Sequence, residues 1–315
     1  MNPIASILAE KSVIILDGAL ATELEARGLD LSSALWSAKA LQETPDIIYD
    51  VHLDYFRAGA DVAITSSYQA TPLGLQKHLG LNLEQSQQLI RKSVELAQRA
   101  RATALEVDSH RRPASEPRKL LVAGSVGPYG AYLADGSEYR GDYSISDAEM
   151  KDFHRPRIQA LIDAGVDILA CETIPSFAEA KVLIELLRTE FPSSPAWLSF
   201  TVRDTTHLSD GTPLADVIHV TNTSSQIVAV GINCVPEQDV TDILEHLSSL
   251  TDTPLVAYPN SGEQWNAGAR AWSGQRSGGH EYASLVTEWR AKGARLIGGC
   301  CRTSPKDIEV IWDTL

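Results

Sequence analysis

No apolar run in the chain approaches the roughly 18 residues that a bilayer-spanning helix needs. The first residues, Met1 to Lys11, lack the cationic start and long apolar stretch of a secretory signal. A membrane or export role is therefore not expected, and the cytoplasm is the default. Positive charge is also scarce: 27 Lys and Arg stand against 41 Asp and Glu, a formal net charge of −14 over 315 residues. Nucleic acid demands a basic face, so none is expected as a partner. The basic stretch from Arg111-Arg112 to Arg118-Lys119 sits among Pro, Ser and Glu and reads as a solvated loop. Cysteine is rare, with four in all, two of them adjacent. Neighbouring cysteines seldom bond each other and cytosolic thiols stay reduced, so metal or chemistry is a better reading than a staple.

What the chain does have is alternation. Short β-branched runs begin at Val13, Asp61, Leu120, Val166, Trp197, Ile227, Leu255 and Arg295, and helical patterns separate them. Near-continuous apolar strands belong to a parallel sheet covered on both faces. The helical patterns run from Pro45 toward Arg57, Glu84 to Glu106, Ser146 to near Gly165, Ser176 to Glu190, Pro213 to Val220, Val240 to Leu250, Glu281 to Lys292 and Pro305 to Trp312. Eight βα units predict a single (β/α)8 barrel over residues 1–315, with its active site at the carboxyl ends of the strands. Thr44 is expected to cap the helix that Pro45 opens. The Pro-rich stretch Pro113 to Pro117 precedes a strand and is expected on the opposite face.

Polar residues end several of these strands. Asp17 and Gly18 follow the first, Thr65 ends the second, Glu172 and Thr173 follow the fourth, and Asn233-Cys234 follows the sixth. Strand eight runs into Gly298-Gly299-Cys300-Cys301. In a barrel these ends share one mouth, so three thiols converge there. Thiolates are soft ligands suited to zinc, and three protein ligands leave the fourth tetrahedral position open, the catalytic pattern. Two plainer readings compete: Gly298-Gly299 as a tight turn beside small buried cysteines, or as a phosphate cradle. Cys171 is read as packing. Two long connections, Val126 to Tyr143 and Pro259 to Gly279, follow strands three and seven and reach the same mouth, where lids and binding loops occur.

At these residues the chain resembles the homocysteine S-methyltransferase family, closest to compact bacterial members that use S-methylmethionine. The resemblance is carried by Asp17-Gly18-Ala19-Leu20-Ala21-Thr22-Glu23-Leu24, Gly124-Ser125-Val126-Gly127-Pro128-Tyr129-Gly130, Cys171-Glu172-Thr173, Gly231-Ile232-Asn233-Cys234 and Gly298-Gly299-Cys300-Cys301-Arg302-Thr303. Many relatives have two glycines after the first aspartate; here the second is Ala19, which matters only where positive φ is required. The resemblance implies one zinc per chain on Cys234, Cys300 and Cys301. It implies Asp17 and Glu172 on the homocysteine ammonium, and Thr65 with the amides of Gly18 and Ala19 near its carboxylate, with Asn233 beside them. It also implies that the C-terminal extension of betaine-dependent relatives and the folate and cobalamin domains of large methionine synthases are lacking.

The chemistry that follows is methyl transfer from a sulfonium to a thiolate. Zinc coordination removes the thiol proton, so no general base is required and no catalytic residue is expected beyond the metal centre. Aromatic rings attract onium cations, and Tyr129, Tyr132, Trp265 and Trp272 of the long loops are donor-site candidates, with Asp135 and Glu138 placed to meet the donor's ammonium. S-methylmethionine is the expected donor, S-adenosylmethionine the nearest alternative and betaine less so. A phosphate-binding barrel lyase or isomerase, and a non-enzymatic zinc-stabilised binding protein, are the readings from other classes.

Overall fold

The computed structural model describes residues 2–31, 35–109, 118–266, 271–273 and 276–315. Each of the eight apolar runs forms a strand: β1 (Ile14–Ile15), β2 (Val62–Ile64), β3 (Leu121–Val126), β4 (Ile168–Ile174), β5 (Ala196–Phe200), β6 (Ile227–Asn233), β7 (Leu255–Tyr258) and β8 (Ala294–Ile297). They pair in parallel in the order β1-β8-β7-β6-β5-β4-β3-β2. A parallel bridge between Leu16 and Val62, with the Asp17 amide donating to the Val62 carbonyl at 3.1 Å, brings the two edges together as a barrel.

Period-two alternation divides the apolar residues into two cores. Ile14, Leu16, Val62, Ala123, Ile168, Ala170, Trp197, Ala229, Val256, Tyr258 and Leu296 pack together inside the barrel. Ile4 and Ile7 of the short helix Pro3–Leu8 join this inner cluster. Their strand neighbours Ile15, Ala63, Val122, Leu169, Leu198, Val230, Ala257 and Ile297 belong to the larger cluster between sheet and helices. The alternation has a direct consequence for function. Two residues beyond Ala123, Ala170 and Trp197, on the same inner face, stand Ser125, Glu172 and Ser199.

The helices follow the sequence pattern closely, and the helix Asp147–Asp163 opens on a full capping box between Ser146 and Glu149. Thr44 differs from expectation. It precedes the helix Pro45–Arg57 without capping it, because its hydroxyl donates to the Ala40 carbonyl of the preceding helix. Two small hairpins were not anticipated, Val202–Asp204 with His207–Leu208 and Gln264–Asn266 with Ala271–Ser273; both are too short to show a period. Pro113 to Pro117 lies outside the described residues.

Candidate metal centre and substrate site

The backbone at the barrel mouth is stitched so that β6 and β8 deliver their cysteines to one point. The Cys234 amide donates to the Tyr258 carbonyl, the Cys300 amide to Pro259 and the Ser261 amide to Cys301. The sulfurs of Cys234, Cys300 and Cys301 all lie within 4.8 Å of one another. Cys234 and Cys300 stand in disulfide contact, their Cα atoms 5.5 Å apart. The Cys301 sulfur is 3.8 Å from that of Cys234. Two thiolates on a tetrahedral ion with Zn–S near 2.3 Å are about 3.8 Å apart, so this donor set fits a soft tetrahedral metal once the thiols are reduced. Burial pushes the Cys301 thiol up to about 11, with the Glu138 carboxylate adding to the push; a bound cation reverses that preference. Cys171 is fully buried in the core and pushed by burial up to about 12, in keeping with a packing role.

The glycines before the cysteines are there for close approach. A Cβ at Gly298 would lie 2.6 Å from the Leu16 Cβ, and one at Gly299 would lie 2.3 Å from the Thr303 hydroxyl. Their amides are already committed, Gly298 to the Ala257 carbonyl and Gly299 to that of Asp17. A phosphate cradle needs free amides, so the structure argues against that alternative. Three of the residues outside glycine with positive φ also ring the mouth: Thr173 at 62°, Cys234 at 53° and Arg302 at 68°. Such backbone is costly and persists where a site over-determines it.

Two buried carboxylates stand at the same mouth. Asp17 is 4% exposed, and its Oδ2 accepts from the Ile64 amide at 2.8 Å. Burial raises its proton affinity well above the ordinary carboxylate range, and the Glu172 charge adds to it. Glu172 is raised by burial to about 7. Its Oε1 accepts from the Ser125 hydroxyl and its Oε2 from the Tyr258 hydroxyl at 3.1 Å. Tyr258 in turn accepts from Trp197 Nε1 at 3.1 Å and lies 2.5 Å from the Ser199 hydroxyl. Ser125 and Tyr258 were not singled out as functional from sequence. The signal was present in the alternation, since each points to the same inner face as Glu172.

Three expected substrate contacts are otherwise engaged. Asn233 is fully buried, takes the Thr173 amide at 2.7 Å and gives its own amide to the Thr173 hydroxyl at 2.8 Å. It braces the left-handed turn at Thr173. The Thr65 hydroxyl accepts from the Ser125 amide at 3.0 Å and meets the Ser67 hydroxyl at 2.8 Å. Because Ser67 donates to the Ser125 carbonyl, the Thr65 proton goes to Ser67, and Thr65 ties β2 to β3. The Ala19 amide donates to the Thr303 hydroxyl at 3.1 Å. Gly18 keeps its place at the mouth: a Cβ there would come within 2.9 Å of the Tyr55 hydroxyl. The buried Ser66 hydroxyl has no partner among the described residues.

The loop after β3 contains the helix Tyr129–Leu133 and a 3-10 turn, Ser137–Tyr139. It sorts its donor-site candidates. Tyr129 and Tyr132 pack with each other and with Phe153, ring centroids 5.0–5.7 Å apart. Asp135 is 57% exposed, lies 4.0 Å from Arg140 and accepts from the Ser137 amide. Glu138 is different. Its Oε2 is buried without a partner among the described residues, burial raises its proton affinity, and its charge acts on Cys301, Tyr139 and Tyr68. Tyr68, whose hydroxyl bonds Thr173 and also senses Glu172, and Tyr139 were missed from sequence. The side chains of Trp265 and Trp272 lie outside the described residues.

Comparison with known proteins bears on this geometry. The family model described as homocysteine S-methyltransferase matches residues 14–315. A homocysteine S-methyltransferase of Escherichia coli K12 is 54% identical over 312 residues, covering 98% of this chain and 97% of that protein. The homocysteine S-methyltransferase YbgG of Bacillus subtilis is 50% identical over 311 residues, covering 99% and 97%. The solved homocysteine methyltransferase MmuM from Escherichia coli in its metallated form superposes with a TM-score of 0.88 at 52% identity, with both chains fully covered.

Proposed function

The chain belongs to the homocysteine S-methyltransferase family, and from that premise we propose that it transfers a methyl group from S-methylmethionine to L-homocysteine at a zinc ion held by Cys234, Cys300 and Cys301. The activity, methyl transfer to homocysteine giving methionine, is the one its relatives share. The observation that carries the finer reading is the meeting of three cysteine sulfurs within 4.8 Å, at a mouth that also holds two buried carboxylates. Zinc is the borderline-soft ion that three thiolates suit best, and a relative has been solved in a metallated form. When bound there, it would lower the proton affinity of the homocysteine sulfur so that a thiolate is present at neutral pH.

The protein's own groups do the rest. Asp17 and Glu172 hold the homocysteine ammonium, with Ser125 and Tyr258 fixing the Glu172 carboxylate. Of the expected carboxylate donors, the Gly18 amide remains, and the free Ser66 hydroxyl joins it. Glu138, facing Cys301 with an unpartnered oxygen, receives the cationic donor, and Tyr68 and Tyr139 line its approach. The homocysteine sulfur forms a bond to the methyl carbon as the sulfonium C–S bond breaks, and that electron pair stays on the leaving sulfur. The homocysteine thiol proton is released to solvent. Two molecules of methionine result. Charge is annihilated along this path, so the main demand on the protein is in-line alignment of two sulfurs.

The whole chain, 1–315, acts as one barrel domain in this reading. No described helix is long and apolar enough to cross a membrane. We place the enzyme in the cytoplasm, where the reducing poise keeps the three thiols available. Its partners are small molecules, with nucleic acid disfavoured by a net charge of −14. The test is a panel of S-methylmethionine, S-adenosylmethionine and betaine with homocysteine and purified protein, measuring methionine formed and zinc per chain. Turnover with no metal bound would overturn the zinc assignment.

A further inference from the structure

Behind the mouth lies a buried charged group that the reaction does not touch. Arg157 and His154 of the helix Asp147–Asp163 and Glu179 of the helix Phe177–Glu190 are all fully buried. Arg157 Nη2 lies 3.0 Å from His154 Nδ1, and His154 Nε2 lies 2.7 Å from Glu179 Oε1. A guanidinium only donates, so Nδ1 accepts and Nε2 carries the proton toward Glu179. The imidazole is neutral, in line with the lowering that burial imposes on it. The result is one cation and one anion joined through a neutral ring.

A pair of buried charges is weak evidence for stability, since well-packed apolar residues often serve as well. What distinguishes this one is what it grips. Arg157 Nη1 donates to the Tyr68 carbonyl at 2.8 Å and Nη2 to the Gly127 carbonyl at 2.5 Å. Glu179 accepts from the Tyr129 amide at 2.8 Å and from the Tyr143 hydroxyl. Tyr68 lies in the segment after β2, and Gly127, Tyr129 and Tyr143 lie at the start and end of the loop after β3 that carries Glu138. The contact passes on without slack. A Cβ at Gly127 would lie 2.7 Å from the Tyr68 carbonyl oxygen, and one at Gly130 would lie 2.5 Å from the Glu138 amide. None of the four partners hydrogen-bonds Asp17, Glu172 or the cysteines; the Arg157 charge does act on Glu172, and Glu179→Gln, Tyr143→Phe and Arg157→Lys all keep a cation at that position.

We propose that Arg157, His154 and Glu179 are positioning residues for the donor subsite, holding the 127–143 loop and Tyr68 so that Glu138 faces the thiols. This rests on the reading that Glu138 meets the sulfonium donor. The triad should therefore govern the KM for donor and leave homocysteine recognition alone, an imbalance that a merely structural role would not produce.

The experiment uses the full-length zinc-loaded enzyme and whichever sulfonium the wild type turns over. Glu179→Gln, Arg157→Lys and the milder Tyr143→Phe are compared with Glu138→Gln. We expect Glu179→Gln to raise the donor KM by about tenfold, within the reach of small misplacements, and Tyr143→Phe by a smaller factor. Zinc content and the KM for homocysteine should stay within about twofold of wild type. If Glu179→Gln does not fold, Tyr143→Phe and Arg157→Lys decide, because each leaves Glu179 in place. Equal rises in both KM values, or an unchanged donor KM in the folded variants, would overturn the triad. A raised donor KM in the triad variants with none in Glu138→Gln would leave the triad standing and remove Glu138 as the donor's partner.

Discussion

The acceptor side and the donor side of the mouth are built from different material. On the acceptor side, Asp17, Ser125, Glu172, Tyr258 and the three cysteines sit on strands or within a few residues of a strand end. Their positions follow from β-pairing and from the inner core beneath them. On the donor side, Glu138 and Tyr139 ride on a short turn inside a long loop, and Tyr68 sits just past β2. Their positions depend on tertiary grips by residues on two outer helices. A strand end places a group by local geometry, whereas a loop must be told where to lie. The expectation is that acceptor and metal chemistry tolerate little change, and that donor preference is where variation is accommodated.

The strongest way to break this contrast is at the cysteines, which both sides need. Ser in place of Cys234, Cys300 or Cys301 should abolish stoichiometric zinc and lower turnover by more than about 100-fold, beyond the losses typical of groups one step removed from a metal. Cys171→Ser should keep both metal and turnover, because that side chain is spent on core packing. Metal analysis alongside methionine formation checks the pair. Full zinc in all three ligand variants would remove the site, and loss of zinc from Cys171→Ser would make it part of the centre.

Glu172→Gln sharpens the acceptor side. Homocysteine affinity should fall by roughly 1–3 kcal/mol, the scale of a charged hydrogen bond, with Asp17→Asn similar. Because burial lifts free Glu172 from 4.5 to about 7, wild-type affinity should weaken as pH falls below 7, where the carboxyl gains its proton. Stability has the opposite sense. The folded carboxyl resists ionisation, so its contribution is fully present below pH 4.5 and is lost as pH rises to 7. At pH 8 the loss amounts to about 3 kcal/mol. The Gln variant should accordingly unfold at higher denaturant than wild type at pH 8 and at the same concentration near pH 4. Identical denaturation curves at pH 8 would show that ionised Glu172 costs the fold nothing.

On the donor side the effects should be smaller and confined to one substrate. S-methylmethionine should exceed S-adenosylmethionine in kcat/KM, with betaine giving little turnover. Glu138→Gln should raise the donor KM by about three- to tenfold, the scale of one partly screened charge pair, while Asp135→Asn changes nothing because that carboxylate stands 57% exposed beside Arg140. Steady-state kinetics in both substrates would reveal it. Betaine as the best donor would end the subfamily assignment, whereas S-adenosylmethionine as the best would alter only the donor.

This division also explains what could be read in advance. All eight barrel strands were legible because each is an apolar run. The cysteines, Asp17 and Glu172 were legible because polar groups stand out just past such runs. Asn233, Thr65 and Ala19 stand there too, but which partner a strand-end group takes is settled by neighbours distant in sequence. Thr173, Ser67 and Thr303 claim them. Ser125 and Tyr258 were overlooked as members of motif or strand, although the inner-face alternation marks both. The donor loop could not be sorted at all. Nothing in its sequence distinguishes Asp135 from Glu138, since the difference is one of burial that helices from elsewhere impose.

The smallest effect belongs to Ala19, where many family members carry glycine. A glycine is demanded only if the backbone enters the left-handed region or a Cβ has no room. Ala19 has φ −67° and ψ 112°, extended backbone open to any residue, and it is the residue that opens the helix Leu20–Ala26. Its amide reaches the Thr303 hydroxyl, and its carbonyl accepts from the Tyr55 hydroxyl at 3.0 Å; both are backbone contacts that a glycine keeps. Two terms then oppose each other. Glycine is better than alanine at a helix N-cap by roughly 0.5–1 kcal/mol, while its freer unfolded chain costs about 0.4–1 kcal/mol. Ala19→Gly should shift stability by no more than about 0.5 kcal/mol and leave both KM values within experimental error. A tighter homocysteine KM in the glycine variant would mean that the methyl group crowds the acceptor, and that the strand-built side of the site has room to improve.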